Sequence, residues 1–306
     1  MTANGSTAAS PRVSVLMTAY NRESFVSAAI DSVLTQWWTD FELIVVDDGS
    51  SDRTLEIARE CARRDPRVRV YANERNLGDY GNRNHAASLA RGEFLKFHDS
   101  DDIMYPHCLS VMVPALQAEP TAGFGLTSSR AWPGVRVPMV LTPKQAYQRE
   151  FLGYGLFMCG PAGALFRADV FRDLGGFQDF GAPSDTVFWT RACARYPVLL
   201  LPGDLFYYRE HDGQSLRASH AALQYAKVPA HMWTALAARD CPLDEPERAL
   251  ARRNLAFATA KSAWRAAREG NFRLAWRRLE ASEITAGEWF RHLRPPRRSP
   301  LAGISP

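Results

Sequence analysis

The chain has little cysteine and no cysteine pattern. Cys61, Cys108, Cys159, Cys193 and Cys241 are scattered over 306 residues, odd in number and without a CxxC. That excludes a disulfide framework and a zinc spacing, and it fits a reducing, cytoplasmic compartment. No apolar run nears the roughly 18 residues that a membrane-spanning helix needs. The first twelve residues, MTANGSTAASPR, lack both the charged n-region and the apolar h-region of a secretion signal. Residues 1–12 therefore read as a disordered leader. Two nucleotide signatures are missing as well. There is no G-x-G-x-x-G and no G-x-x-x-x-G-K-[ST], which argues against a Rossmann dinucleotide site and against a P-loop.

What is present is ordinary for a globular chain, with 46% hydrophobic and 23% charged residues. The length suits one large domain or two small ones. The formal net charge of +4 conceals an asymmetry. From Arg248 to Arg298 there are thirteen Lys or Arg against four Asp or Glu, so the remainder is net acidic. Trp264, Trp276, Trp289 and Phe290 are interleaved with those arginines. One reading is a solvated helical hairpin whose rings pack on the body. The other is attraction to a phosphate-bearing substrate or peripheral contact with an anionic membrane face. No nucleic-acid partner is expected.

Hydrophobic periodicity organises the first hundred residues. VSVLMT (13–18), ELIVV (42–46), VRVYA (68–72) and EFLKF (93–97) read as buried strands. Helical spacing follows each of the first three, over 25–37, 54–64 and 81–90, with Ser51 or Asp52 as a candidate cap for the second helix. Such alternation predicts right-handed βαβ units and a mostly parallel sheet. Ligands bind such sheets beyond the carboxyl ends of the strands. Here those ends are TAYN, DDGS and HDSDD. From about residue 122 the pattern shifts to short strands (124–128, 162–166, 198–201, 205–208) mixed with short helices and Gly/Pro loops. From 218 onward it is helical, with a hairpin turning at Gly270-Asn271. The expected organisation is thus 13–217 as one α/β domain, with halves 13–121 and 122–217. A helical extension over 218–293 and a disordered tail over 294–306 follow.

Three aspartates, Asp99, Asp101 and Asp102, crowd four positions behind the fourth strand. Converging carboxylates are unfavourable unless a cation lies between them, and hard oxygen ligands suit Mg²⁺ or Mn²⁺. The plainer alternative is an exposed turn in which Asp102 caps the next helix.

VSVLMTAYNRESFVSAAIDSVLTQ, FELIVVDDGSSDRT and NLGDYGNRNHAASLARGEFLKFHDSDD, in that order, resemble the inverting family 2 glycosyltransferases of the GT-A fold. The resemblance covers about Val13 to Arg209. It implies a UDP-sugar donor, a carbohydrate or lipid-linked acceptor, a Mn²⁺ or Mg²⁺ cofactor and a role in surface-polysaccharide or glycoconjugate synthesis. It places Thr18 and Tyr20 against the nucleotide base, although Tyr20 could also be a core aromatic. Asp48 would accept from uracil N3–H, a proton cytosine lacks, while Asp47 would hold a loop or the ribose. Arg83 would reach toward base or phosphate, or else bridge to a nearby aspartate. Asp99-Ser100-Asp101 matches the D-x-D motif, with Asp101 as the metal ligand and Asp99 on ribose or metal. Asp185, in GAPSDTVFWTRA, matches the general base at a helix start, where the dipole favours the ionised form; the alternative is a helix cap. Gly160 and Gly163 would allow close backbone approach near donor sugar and acceptor. His211 would join the metal or the β-phosphate, and Arg209 and Arg217 would neutralise the leaving group. Two rivals remain. A nucleotidyltransferase would show a Gly/Arg/Lys-rich loop after the first strand. A non-catalytic sugar-nucleotide binder would lack the base or the metal aspartate.

Overall fold

A computed structural model describes residues 10–127, 136–153, 155–157, 159–214 and 221–281. Along the chain the elements are β1 (Val13–Ala19), α1 (Val26–Leu34), β2 (Phe41–Asp47), α2 (Thr54–Arg64), β3 (Val68–Ala72), α3 (Asp79–Ser88), β4 (Phe94–Asp99), β5 (Ile103–Met104) and α4 (Cys108–Ala118). Then come β6 (Phe124–Thr127), β7 (Met139–Leu141), α5 (Pro143–Leu152), β8 (Ala164–Arg167), α6 (Ala168–Asp173), α7 (Ser184–Arg195), β9 (Val198–Leu201) and β10 (Phe206–Tyr207). Helices α8 (Ala221–Tyr225), α9 (Val228–Ala237), α10 (Glu245–Arg268) and α11 (Phe272–Glu280) complete the described chain. The chain forms two compact units, each discontinuous: 1–117 with 164–175 and 205–209, and 118–163 with 176–204 and 210–306. The C-terminal helices therefore belong to the second unit, and two later segments return to the first.

In the first unit β1 pairs in parallel with β2 and β4, and β2 with β3. Strand β8 adds antiparallel to β4. β1 and β2 are apolar on both faces because helices cover both, as parallel sheets require. Val15, Leu16, Leu43, Ile44, Leu95 and Phe97 are fully buried. Helix α1 turns Val26, Ala29, Ile30 and Val33 inward. At the amino-terminal edge of the sheet the buried Glu42 carboxylate accepts from Ser14 Oγ, Arg69 Nη1 and Arg91 Nη2. Burial alone would push its pKa up, but the hydrogen bonds from Arg91, Ser14 and Arg69 outweigh it and hold the carboxyl below its usual value. Gly92 is needed beside them, since a Cβ there would lie 2.5 Å from the Ser14 backbone nitrogen.

In the second unit β6 and β9 are parallel and β7 is antiparallel to β9. The fully buried Trp189 donates from Nε1 to Cys159 O, and its ring lies beside those of Phe124, Phe177 and Phe188. Capping boxes start α5 at Thr142 and α10 at Asp244, and α10 and α11 meet at Gly270-Asn271. Elsewhere the caps differ from expectation. Helix α2 starts behind Arg53 without a side-chain cap, because Asp52 instead accepts from the Thr54 amide inside the turn. All five cysteines are buried, and none forms a disulfide.

Candidate nucleotide and metal site

The register sets the carboxyl ends of three strands level. Thr18 of β1 lies opposite Val46 of β2 and Asp99 of β4, and Ala19 lies opposite Asp47. The chain then turns at Asn21, whose φ of 52° is left-handed, a conformation asparagine tolerates. Asn21 donates its amide to Ser50 Oγ and accepts from the Ser51 amide through Oδ1. Arg22 donates its amide to Thr54 Oγ1. The TAYN turn is thereby fastened to the DDGSSD turn. Asp47 stiffens the latter by accepting from Ser50 N. Tyr20 is 48% exposed at this edge, so it is a ring offered to solvent and not a core aromatic.

Asp48 is buried and already engaged. Its Oδ1 accepts from Asn73 Nδ2 at 2.7 Å and from Leu77 N at 2.8 Å, and its Oδ2 accepts from Gly78 N at 3.0 Å. Asn73 is held in turn by Asn82 Oδ1, and Asn82 donates to Val46 O. Loop duty, expected of Asp47 alone, thus falls on both aspartates. A carboxylate offers about four acceptor positions, so Asp48 retains room for one further donor.

Each aspartate of the cluster has its own partner. Arg83, buried in α3, donates from Nη2 to Asp99 Oδ1 at 2.6 Å and from Nε to Asp79 Oδ1 at 2.9 Å. Burial disfavours both charges of the Arg83–Asp99 pair, yet the Asp79 and Asp99 charges together raise the Arg83 pKa, and the Arg83 charge lowers that of Asp99. The bridge weighed in the sequence is therefore real, but it leaves Arg83 Nη1 buried without a hydrogen-bond partner. Arg22 donates from Nε to Asp101 Oδ2 at 2.8 Å. Asp102 accepts from the Arg209 amide through Oδ1 at 3.0 Å, and its buried Oδ2 lacks a partner. It therefore anchors β10 and does not cap α4. Burial, aided by the Asp99 charge, pushes Asp102 up to about 7. The Arg209 guanidinium lies 5.0 Å above the Phe25 ring. Under the cluster, Lys96 is fully buried with Nζ on Phe97 O. His98 is buried beside it and held neutral, lowered to about 3 by burial and then by the Lys96 charge.

Asp99 ends β4 and Asp101 follows two residues later, each a source of carboxylate oxygen held by its own arginine. Their chemistry fits Mg²⁺ or Mn²⁺, which commonly take one or two carboxylates and complete their shells with water and substrate phosphate. Among the described residues no three His, Cys, Asp or Glu side chains gather as a metal-ligating group. His211 stands in the second unit, where its amide donates to Gln214 Oε1.

The other expected residues also lie in that unit. Asp185 is the second residue of α7. Pro183 is the cap position and no side chain caps the helix, so Asp185 is not a cap. Its Oδ1 accepts from Thr186 N. Ser184 Oγ closes the preceding turn by donating to Gly181 O and accepting from Phe180 N. A Cβ on Gly160 would meet nothing within 4 Å, whereas one on Gly163 would lie 2.3 Å from Cys159 Sγ and 2.5 Å from Thr127 Oγ1. Gly163 is thus required by packing within the unit, a reason different from the ligand approach expected of it. Arg217 lies outside the described residues. The sequence reading missed Arg22, Asn73 and Asn82. An arginine directly after a polar strand end was the available signal for the first.

Residues 14–175 match the sequence profile described as Glycosyl transferase family 2. A UDP-Glc:alpha-D-GlcNAc-diphosphoundecaprenol beta-1,3-glucosyltransferase of Escherichia coli, WfgD, is 42% identical over 101 residues, 33% of this chain and 39% of that protein. The chain spans from about a quarter to three-fifths of the length of the first curated relatives it matches. Among solved structures, the mannosyltransferase PcManGT of Pyrobaculum calidifontis, in complex with GDP-Man and Mn²⁺, is similar with a TM-score of 0.63 at 20% identity, covering 89% of this chain and 75% of that one. S. aureus TarS 1-349, in complex with UDP-GlcNAc, gives a TM-score of 0.61 at 23% identity, covering 80% and 70%. The α/β fold with its mainly parallel sheet is shared with both.

Proposed function

This chain belongs to glycosyl transferase family 2, and from that premise we propose that it moves a sugar from a UDP-sugar to an acceptor hydroxyl with inversion at the anomeric carbon. The observation that carries the reading is the level strand ends, where Thr18 lies opposite Asp99 and Asp99 is held by Arg83, an arginine with an unused buried donor. Arg83 Nη1 suits an acceptor oxygen of ribose or diphosphate, and a charge-assisted hydrogen bond there is worth more than a neutral one. The exposed Tyr20 ring offers a face to a base. The remaining acceptor position of Asp48 fits an imide N–H such as that of uracil. Guanine offers a similar donor, so a GDP-sugar is the competing outcome of any donor screen.

Asp185 takes the proton from the acceptor hydroxyl as general base. It sits in the first turn of α7, where the helix dipole keeps a carboxylate ionised. The acceptor oxygen forms its bond to the anomeric carbon as the bond to the UDP oxygen breaks on the opposite side. Arg83 and Arg209 offset the charge gathering on the departing diphosphate. Asp101 and Asp99 would hold a Mn²⁺ or Mg²⁺, which when bound neutralises diphosphate charge. His211 and Arg217 would add to the same diphosphate shell. The acceptor is a carbohydrate or a lipid-linked sugar, in keeping with the lipid diphosphate in the WfgD name. Surface-polysaccharide or glycoconjugate synthesis is the matching process, on the cytoplasmic side of a membrane.

A screen of nucleotide sugars for Mn²⁺-dependent hydrolysis and binding tests this. The expected result is turnover of one UDP-sugar, with UDP affinity that depends on metal and is lost in Asp101→Asn. Preference for a GDP-sugar would overturn the base assignment. Metal-independent binding by Asp101→Asn at wild-type affinity would remove Asp101 from the metal shell.

A further inference from the structure

Three of the large apolar side chains most open to solvent lie on the α10–α11 hairpin. Trp264 is 56% exposed, Phe272 71% and Trp276 68%. The hairpin does have an inner face. Ala263 and Ala266 of α10 and Leu274 and Ala275 of α11 are buried, and Arg278 reaches inward to donate to Ser262 O. Phe272 and Trp276 are four residues apart and so share one side of α11, away from Leu274 and Ala275. Core packing therefore does not explain the rings. Their neighbours are cations: Lys261, Arg265, Arg268, Arg273 and Arg277 are all exposed. Among the described residues, the acidic partner found for these five is Glu280, in an exposed bridge to Arg277 that binds weakly in water. From Glu245 to Ala281 nine basic side chains face four acidic ones.

We propose that this hairpin is a docking surface for an anionic lipid bilayer. Indole and phenyl rings enter the headgroup layer while the flanking arginines meet lipid phosphates. No helix among the described residues is long and apolar enough to cross a membrane, so the attachment is peripheral. A second copy of the chain is the poorer occupant, because a two-fold contact would press one net-positive surface against itself. The proposal rests on the hairpin alone and holds whether or not the donor assignment does.

Co-sedimentation of the full chain with vesicles tests it, using pure phosphatidylcholine and phosphatidylcholine with about a third phosphatidylglycerol. Binding to the anionic vesicles at low salt, its loss at about 0.5 M salt, and little binding to neutral vesicles are expected. Arg265→Gln/Arg273→Gln should lower partitioning on the order of 20- to 30-fold, about fivefold per charge. Phe272→Ser/Trp276→Ser should lower it too and abolish any blue shift of tryptophan emission with vesicles. These side chains are exposed, so both variants should keep the wild-type circular dichroism and melting temperature. A chain that stays in the supernatant with anionic vesicles at low salt overturns the proposal. So does unchanged partitioning of both variants, or a hairpin-dependent dimer that forms without lipid binding.

Discussion

Replacing Arg22 by alanine should tighten metal binding in the absence of nucleotide. Arg22 Nε sits 2.8 Å from Asp101 Oδ2, and the two side chains are only 18% and 14% exposed. A divalent cation that ligates this oxygen must displace a guanidinium from it, and a guanidinium that stays nearby still repels the ion. A hydrogen bond between charged groups contributes about 1.5–3 kcal/mol. Partial solvent access places this pair at the lower end. A loss of about 1.4 kcal/mol of competition corresponds to roughly tenfold tighter binding. The assay is a Mn²⁺ titration read by the electron paramagnetic resonance of the free ion, with wild type, Arg22→Ala and Arg22→Lys. The alanine variant should bind about tenfold tighter and the lysine variant near wild type. Arg22 also donates to the carbonyls of Tyr20 and Asn21, so a melting curve must accompany each titration. Weaker Mn²⁺ binding by a folded Arg22→Ala would refute the reasoning. Arg22 would then be an aid that orients Asp101 for the metal and not a competitor for it.

Further outcomes follow from the same geometry. Asp185→Asn should keep donor binding and lower turnover by at least ~10²-fold, the low end for losing a general base; near-normal kcat would reduce Asp185 to a structural residue. Gly163→Ala should destabilise the fold by about 1–3 kcal/mol through overpacking, visible as a lower urea midpoint. Gly160→Ala, whose Cβ meets nothing within 4 Å, should leave that midpoint unchanged. The Glu42 carboxyl titrates below its usual value in the folded chain, so the stability it adds is present above the unfolded carboxyl range and is lost as pH falls through the lower folded value. Glu42→Gln should accordingly flatten the acid limb of a stability–pH curve, and an unaltered limb would show that other carboxylates set it.

The first hundred residues were legible because helix and strand periods differ and because each strand ends in polar turn residues. The limits of α2, β3 and β9 fall where periodicity puts them, and the hairpin turns at Gly270-Asn271 as its turn chemistry suggests. Caps were less legible, since Asp52 can serve a local turn as readily as a helix end. The return of 164–175 and 205–209 to the first unit was not readable at all. The partner of an antiparallel strand is chosen by long-range pairing, and nothing local in ALFR announces that it joins β4. The same limit hid the partners of the acidic cluster. Sequence proximity made Asp99, Asp101 and Asp102 look like a repulsion that only a metal could relieve. In the fold, Arg83 lies against Asp99 from sixteen residues away and Arg22 against Asp101 from seventy-nine. The Arg209 amide serves Asp102 from one hundred and seven. The cluster is thus compensated by the protein's own donors. The case for a metal therefore rests on the oxygen chemistry of Asp99 and Asp101 and on the diphosphate they would share it with. Two arginines that hold these carboxylates in place are also the groups a cation must contend with, which makes the affinity of the empty site and that of the nucleotide-bound site separate quantities.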